Sequence, residues 1–234
     1  MAKSTYSAVR SAASASVLLH ETAYDQIRSR ILNNQLVPDE PLSEYQLAID
    51  LNMSRTPIRE ALKRLEHDGL VRFVVNRGAF VRGLSASDIS EIYEVREQLE
   101  GFAAFAAATN MTDAEIAALE RELAYSERLV NQGRFAETFE SDVHLHRSLI
   151  AATNNDRLAA ILATLADQVH RIRVLSPNTP GRIEATLREH QEILSCIKRR
   201  DGEAARMAMV SHLKAAHKNA IQLLMMRGAA KRLG

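Results

Sequence analysis

From Leu84 to the C-terminus, helix-favouring residues run on with only five polar interruptions, "ATNMTD", "NQGR", "TNND", "SPNTPG" and "RRDG". Both prolines of this half fall in those interruptions, and Ala, Leu, Glu and Arg fill the stretches between, as helix interiors require. The spacing predicts about six helices, near residues 86–108, 112–131, 134–152, 155–175, 181–200 and 202–227. Successive helices with apolar stripes bury them against one another, so this half is expected to be an all-α bundle.

The chain as a whole has room for two modules. At 234 residues and 46% hydrophobic it can bury a real core. The single Cys196 excludes an internal disulfide framework and fits a reducing, cytoplasmic setting. No apolar run approaches the ~20 residues that span a bilayer, so no membrane partner is expected. The opening stretch "MAKSTYSAVRSAASASVL" is Ser/Ala-rich, basic and free of acids, the composition of an organelle transit peptide; a disordered tail over residues 1–19 is the simpler reading. Net charge is +1, split as +2 over residues 1–83 and −1 over the remainder. A nucleic-acid argument must therefore rest on local placement of cations.

Residues 20–83 supply that placement. Tyr24, Ile27 and Ile31 mark an amphipathic helix that must end by the two prolines of "NNQLVPDEP". Ser43, with Gln46 three residues on, has the arrangement of a capping box, and Leu47 and Leu51 give the short helix its buried side. In "SRTPIREALKRLEHDGLV", Ser54 can cap a second helix, Pro57 sits in its first turn, Ile58, Leu62 and Leu65 form its stripe, and Gly69 stops it. Arg55, Thr56, Arg59 and Lys63 then point away from the stripe. The segments "LVRFVV" and "GAFVRG", joined through "NRG", read as a hairpin with Arg77 at its tip. Two helices, a tight turn and a hairpin make a winged helix-turn-helix, whose second helix can enter a major groove while the wing follows the backbone. An ordinary solvated helix is the plainer alternative, but two Arg and a Thr at the N-terminal end, where the helix dipole attracts phosphate, favour DNA.

"LSEYQLAIDLNMSRTPIREALKRLEHDGLV" followed by "NRGAFVRG" resembles the DNA-binding domain of GntR-type bacterial transcription regulators. The resemblance implies that Ser54, Arg55, Thr56 and Arg59 on the recognition helix, with Arg77 and Gly78 on the wing, contact double-stranded operator DNA. This sequence departs from the family at Asp39, where relatives usually carry Gly, and at Pro41, where they often carry a basic residue that touches phosphate. Loss of that cation should weaken binding without changing which bases are read.

In the bundle, the informative residues are polar groups on inward stripes. Asp142 and His146 fall among Phe135, Phe139, Leu149 and Thr153; His190 among Ile183, Leu187, Leu194 and Ile197; His212 among Ala205, Met209, Ala216 and Ala220. His144 lies about 200° from Asp142 around its helix and should not join them. A single inward His is more often a hydrogen-bonded core residue than a ligand. Three of them with an Asp are costly to bury without a shared partner, and a divalent metal is such a partner. An imidazole-rich set with one carboxylate suits Zn, Ni, Mn or Fe better than Ca or Mg. Arg96 also sits on an apolar face, with Ile89, Ile92, Leu99 and Ala103. It can pair with Glu97 or Glu100 on its own helix, or it can hold an anion beside the metal.

Residues 84–229 also resemble a known unit, the FCD ligand-binding domain of the FadR-like branch of the GntR regulators, through "YEVREQLE", "DVHLH", "EHQEIL" and "SHLKAAH". The resemblance implies that Asp142, His146, His190 and His212 hold the metal and that Arg96 helps bind a small carboxylate effector, with Arg173 and Asn155 as further pocket candidates. The expected protein is thus mainly α, a winged helix-turn-helix followed by a helical bundle. The resemblance implies a homodimeric, ligand-responsive transcription regulator and not an enzyme. A metal-dependent hydrolase would need a second inward carboxylate as general base, which is missing, and would leave the winged module idle. A purely structural metal in a dimerisation bundle is the other alternative.

Overall fold

The computed structural model describes residues 19–175 and 181–233. Residues 1–18 of the expected tail, and most of the "SPNTPG" break, lie outside the described residues. The chain divides into two compact units, one ending at Leu84 that also takes in Asp167–Val174, the other comprising Ser85–Ala166 and the chain from Leu175.

In the first unit, helix α1 runs to residue 32 and buries Ala23, Ile27 and Ile31, four-residue steps along one face. Strand β1 (Pro41–Leu42), helix α2 (Glu44–Asp50), helix α3 (Arg55–His67), strand β2 (Val71–Val74) and strand β3 (Gly78–Val81) follow. Ile58, Leu62 and Leu65 of α3 are fully buried against Ile27, Leu47 and Val81 in one apolar core. Asn52 takes a left-handed φ of 50° in the turn between α2 and α3, a conformation asparagine tolerates better than other non-glycine residues.

The winged helix-turn-helix is as expected, with three local differences. The hairpin is part of a three-stranded antiparallel sheet in the order β1-β3-β2, Pro41 pairing with Phe80. Proline is accepted there because β1 is an edge and needs no outward N–H. The capping box at Ser43 is only half made: Ser43 Oγ accepts from Gln46 N at 3.3 Å, but the Gln46 amide turns to Asp50 at 2.8 Å. Asp39 has a left-handed φ of 69°, and its carboxylate accepts from Arg72 at 3.2 Å.

The second unit is all helical among its described residues. Helices α4 (Ala86–Asn110) and α5 (Asp113–Asn131) each open with a complete capping box, Ser85 with Asp88 and Thr112 with Glu115. A 3-10 turn, Phe135–Thr138, precedes α6 (Phe139–Ala151), and α7 (Asp156–Leu175), α8 (Arg182–Lys198) and α9 (Gly202–Leu233) complete the chain. Phe135 and Phe139 are only half-buried, so the expected stripe of α6 is deep only from Leu145 onward. Helix α4 lies along α9, α8 packs on α5 and α9, and α6 packs on α4. Gly101 permits the close α4–α9 contact, because a Cβ there would lie 3.0 Å from Val210 Cγ2. No helix among the described residues is long and apolar enough to cross a membrane.

Candidate metal centre and DNA-reading surface

Helix periodicity turns four donors from three helices toward one point. Asp142 and His146 come from one face of α6, His190 from α8 and His212 from α9, and one ligand atom of each lies within 4.8 Å of all the others. The three histidines are buried and Asp142 is partly so. Asp142 Oδ1 is 3.5 Å from His190 Nε2 and 3.9 Å from His146 Nε2. The three imidazole centroids are 4.7–5.5 Å apart.

The far side of two rings is fixed by carboxylates. His146 Nδ1 lies 2.5 Å from Glu100 Oε2, and Glu100 also accepts from Arg96 Nε at 2.6 Å. His212 Nδ1 lies 2.7 Å from Glu189 Oε2, and Arg182 grips Glu189 through two N–H groups at 2.6 and 2.9 Å. Burial alone would raise the Glu100 carboxyl, but Arg96 and His146 outweigh it and hold the group well below the usual carboxylate range. Glu189 is likewise held low, burial being outweighed by its bonds to His212 and Arg182. Burial lowers the His212 pKa, with Glu189 opposing only in part, so the neutral ring that metals bind is favoured.

The residues fit a divalent transition metal. His146 Nε2 is buried with no hydrogen-bond partner, a costly arrangement for a ring nitrogen unless an ion takes it up. Three imidazoles and a carboxylate are a donor set for such an ion, and hydrogen-bonded outer carboxylates are the usual support for it.

The four donors expected from the sequence are therefore brought together, and His144 is not among them: it lies on the exposed face, 2.7 Å from Glu122. Arg96 is buried and paired with Glu100, the intrahelical option. Asn155 Oδ1 accepts from the backbone of Arg157 and Leu158 at the start of α7, and Arg173 lies in the α7 segment that clusters with the first unit. Sequence reasoning missed Glu189 and Arg182 and saw Glu100 only as a partner for Arg96. Glu100 carried a signal, since Arg96, Glu100, Ala103 and Ala107 follow one stripe. Glu189 carried none, because it sits a full 100° from His190 around α8.

On the winged unit, Ser54 occupies the N-cap of α3 but makes no side-chain capping bond. Ser54, Arg55, Thr56 and Arg59 are all exposed at that end of the helix. The Arg55 guanidinium lies over the exposed Tyr45 ring, and Arg59 is paired with Glu44 at 2.7 Å. Arg77 is exposed in the β2–β3 turn. Gly78 has φ 85° with nothing within 4 Å of a would-be Cβ, so backbone conformation explains the glycine and crowding within the chain does not.

Residues 91–215 match the FCD domain family, and residues 19–81 match the bacterial regulatory proteins of the gntR family. The chain is 32% identical over 190 residues to the uncharacterized HTH-type transcriptional regulator YdhC of Bacillus subtilis, covering 81% of this chain and 85% of that one. It is 28% identical over 196 residues to the HTH-type transcriptional repressor RspR of Escherichia coli, covering 84% and 86%. Among solved structures, a putative transcriptional regulator GntR from Rhodococcus sp. RHA1 shares the fold, with a TM-score of 0.70 at 23% identity over 88% of this chain and 97% of that one.

Proposed function

The chain belongs to the GntR family of DNA-binding transcription regulators and carries an FCD domain, and from that premise we propose that it senses a small organic acid at a metal site in its helical unit. The observation that carries the proposal is the convergence of Asp142, His146, His190 and His212 within 4.8 Å inside the helical unit. Zn, Ni, Mn and Fe are the candidate ions. When bound, the ion supplies a Lewis-acid contact for a carboxylate oxygen. Arg96, anchored through Nε to Glu100, is the proposed second contact, its remaining N–H groups addressing the same carboxylate.

The protein acts in this reading as a cytoplasmic homodimer on a pseudo-palindromic operator. Arg55 and Arg59 address base edges in the major groove, Ser54 and Thr56 serve the adjacent backbone and base contacts, and Arg77 with Gly78 brings the wing to the backbone. Arg59 must then leave Glu44 or share it, whereas Arg55, stacked on Tyr45, is the readier reader.

The test is operator binding at fixed salt, with metal-loaded and chelated protein, across small di- and hydroxycarboxylates. An acid that changes operator affinity only in the loaded protein supports the sensor. If no acid does so and chelation merely unfolds the bundle, the metal is structural and the sensor reading is wrong.

A further inference from the structure

We infer that Glu100 and Glu189 are positioning residues for the metal centre, each fixing the orientation and tautomer of one ligating histidine, and that Arg96 and Arg182 serve to hold those carboxylates in place. The inference rests on the metal reading above and extends it to four residues outside the donor set.

The argument is one of donors and acceptors. Glu100 accepts from Arg96 Nε, and both oxygens of Glu189 accept from Arg182, so each glutamate presents itself to its histidine as an acceptor. Glu100 Oε2 against His146 Nδ1 therefore requires Nδ1 to carry the proton, as does Glu189 Oε2 against His212 Nδ1. A neutral imidazole protonated on Nδ1 has its lone pair on Nε2, and for His146 that is the atom facing Asp142. Removing either carboxylate frees the ring to rotate or to adopt the other tautomer, which turns an N–H toward the ion. Each arginine closes off the alternatives: Arg96 occupies the second oxygen of Glu100, and Arg182 binds both oxygens of Glu189, so neither carboxylate can swing into the donor set.

The two supports differ in burial, and that difference is itself testable. The Arg96 and Glu100 side chains are 4% and 5% exposed, the Arg182 and Glu189 side chains 17% and 25%. Solvent and salt reach the second pair and not the first. The Glu100 arm should behave as a fixed element of the site and the Glu189 arm as one that salt weakens.

The experiment uses the full chain, stripped of metal, with Co²⁺ as the probe; affinity is read by competition with a chromophoric chelator, and site geometry by the visible absorption of bound cobalt. Glu100→Ala and Glu189→Ala are each expected to weaken Co²⁺ binding by about 10–100-fold. Glu100→Gln and Glu189→Gln, which retain an acceptor oxygen, should recover part of the loss and restore the cobalt spectrum. The deficit of the Glu189 variants should shrink at high salt while that of the Glu100 variants persists. Where Glu100→Ala does not fold, Arg96→Met/Glu100→Met removes the pair at similar volume and carries the same expectation. Wild-type binding together with alanine-variant or double-variant binding within about twofold of it would overturn the inference and leave the metal reading intact. Failure of the wild type itself to bind Co²⁺ would overturn both.

Discussion

Replacing Arg96 by Met isolates the cost of the charge pair at the centre of the bundle. The side chains match roughly in length, so the loss is the guanidinium, which Glu100 faces at 2.6 Å and which lies over the Tyr93 ring. Two unit charges with centres ~4 Å apart interact by about 4 kcal/mol at an effective dielectric of ~20. Removing one member of a buried pair costs about 3–5 kcal/mol by experiment on other proteins, because the remaining charge keeps its desolvation penalty. The two figures agree. For a unit of this size each kcal/mol shifts the melting temperature by about 2–4 °C, so Arg96→Met should lower it by about 6–20 °C. The assay is thermal unfolding of metal-free protein, followed by far-UV circular dichroism at low and at high salt. The loss should be insensitive to salt, and Arg96→Met/Glu100→Met should recover part of it, because the carboxylate left without Arg96 is gone while His146 Nδ1 loses its acceptor. A single variant within about 1 kcal/mol of wild type, the range of a surface pair, would refute the reasoning, as would a double variant no more stable than the single.

The other predictions concern each unit separately. Arg55→Ala should cost about 1–3 kcal/mol of specific operator binding and relax sequence preference, with metal content unchanged; retained preference in a footprinting titration would contradict the placement of the recognition helix. If the proposed site holds a metal, His190→Ala should abolish the metal-dependent gain in stability read by thermal unfolding, a gain expected to be about 2.7 kcal/mol in the wild type when free metal is 100 times Kd. In the winged unit, burial first and then the bond to Asp68 push the Tyr24 hydroxyl up to about 12, from an ordinary 10.0. A pKa raised by folding contributes stability that is complete below the unfolded value and is lost as pH rises through the folded one, so the unit should weaken between pH 10 and 12. Tyr24→Phe should show a flatter profile over that window, and parallel profiles for the two proteins would disprove the assignment.

The elements that were legible in the sequence are those whose signals are local. Ile58, Leu62 and Leu65 repeat at helical steps, Pro57 and Gly69 bracket them, and α3 spans Arg55–His67. Strand β1 was not legible, because two residues, Pro41 and Leu42, are too few for an alternation to register. At Ser43 the sequence matched a capping box, yet Asp50 lay within reach of Gln46 and won its amide. The early part of α6 was read as part of an inward stripe, but the chain enters it through a 3-10 turn that leaves Phe135 and Phe139 half-buried.

By itself, the sequence determined the order of the helices and the face of each on which Asp142, His146, His190 and His212 stand, because rotation about a helix axis follows from residue spacing alone. It left Arg96 between two roles. Only the tertiary structure decided that α4, α6, α8 and α9 bring these faces together, that Glu100 stands between Arg96 and His146, and that Glu189 reaches from α8 to His212 on α9. The physical reason is range: periodicity fixes a side chain's angle on its own helix, while a hydrogen bond across helices depends on ångström-scale distances set by packing.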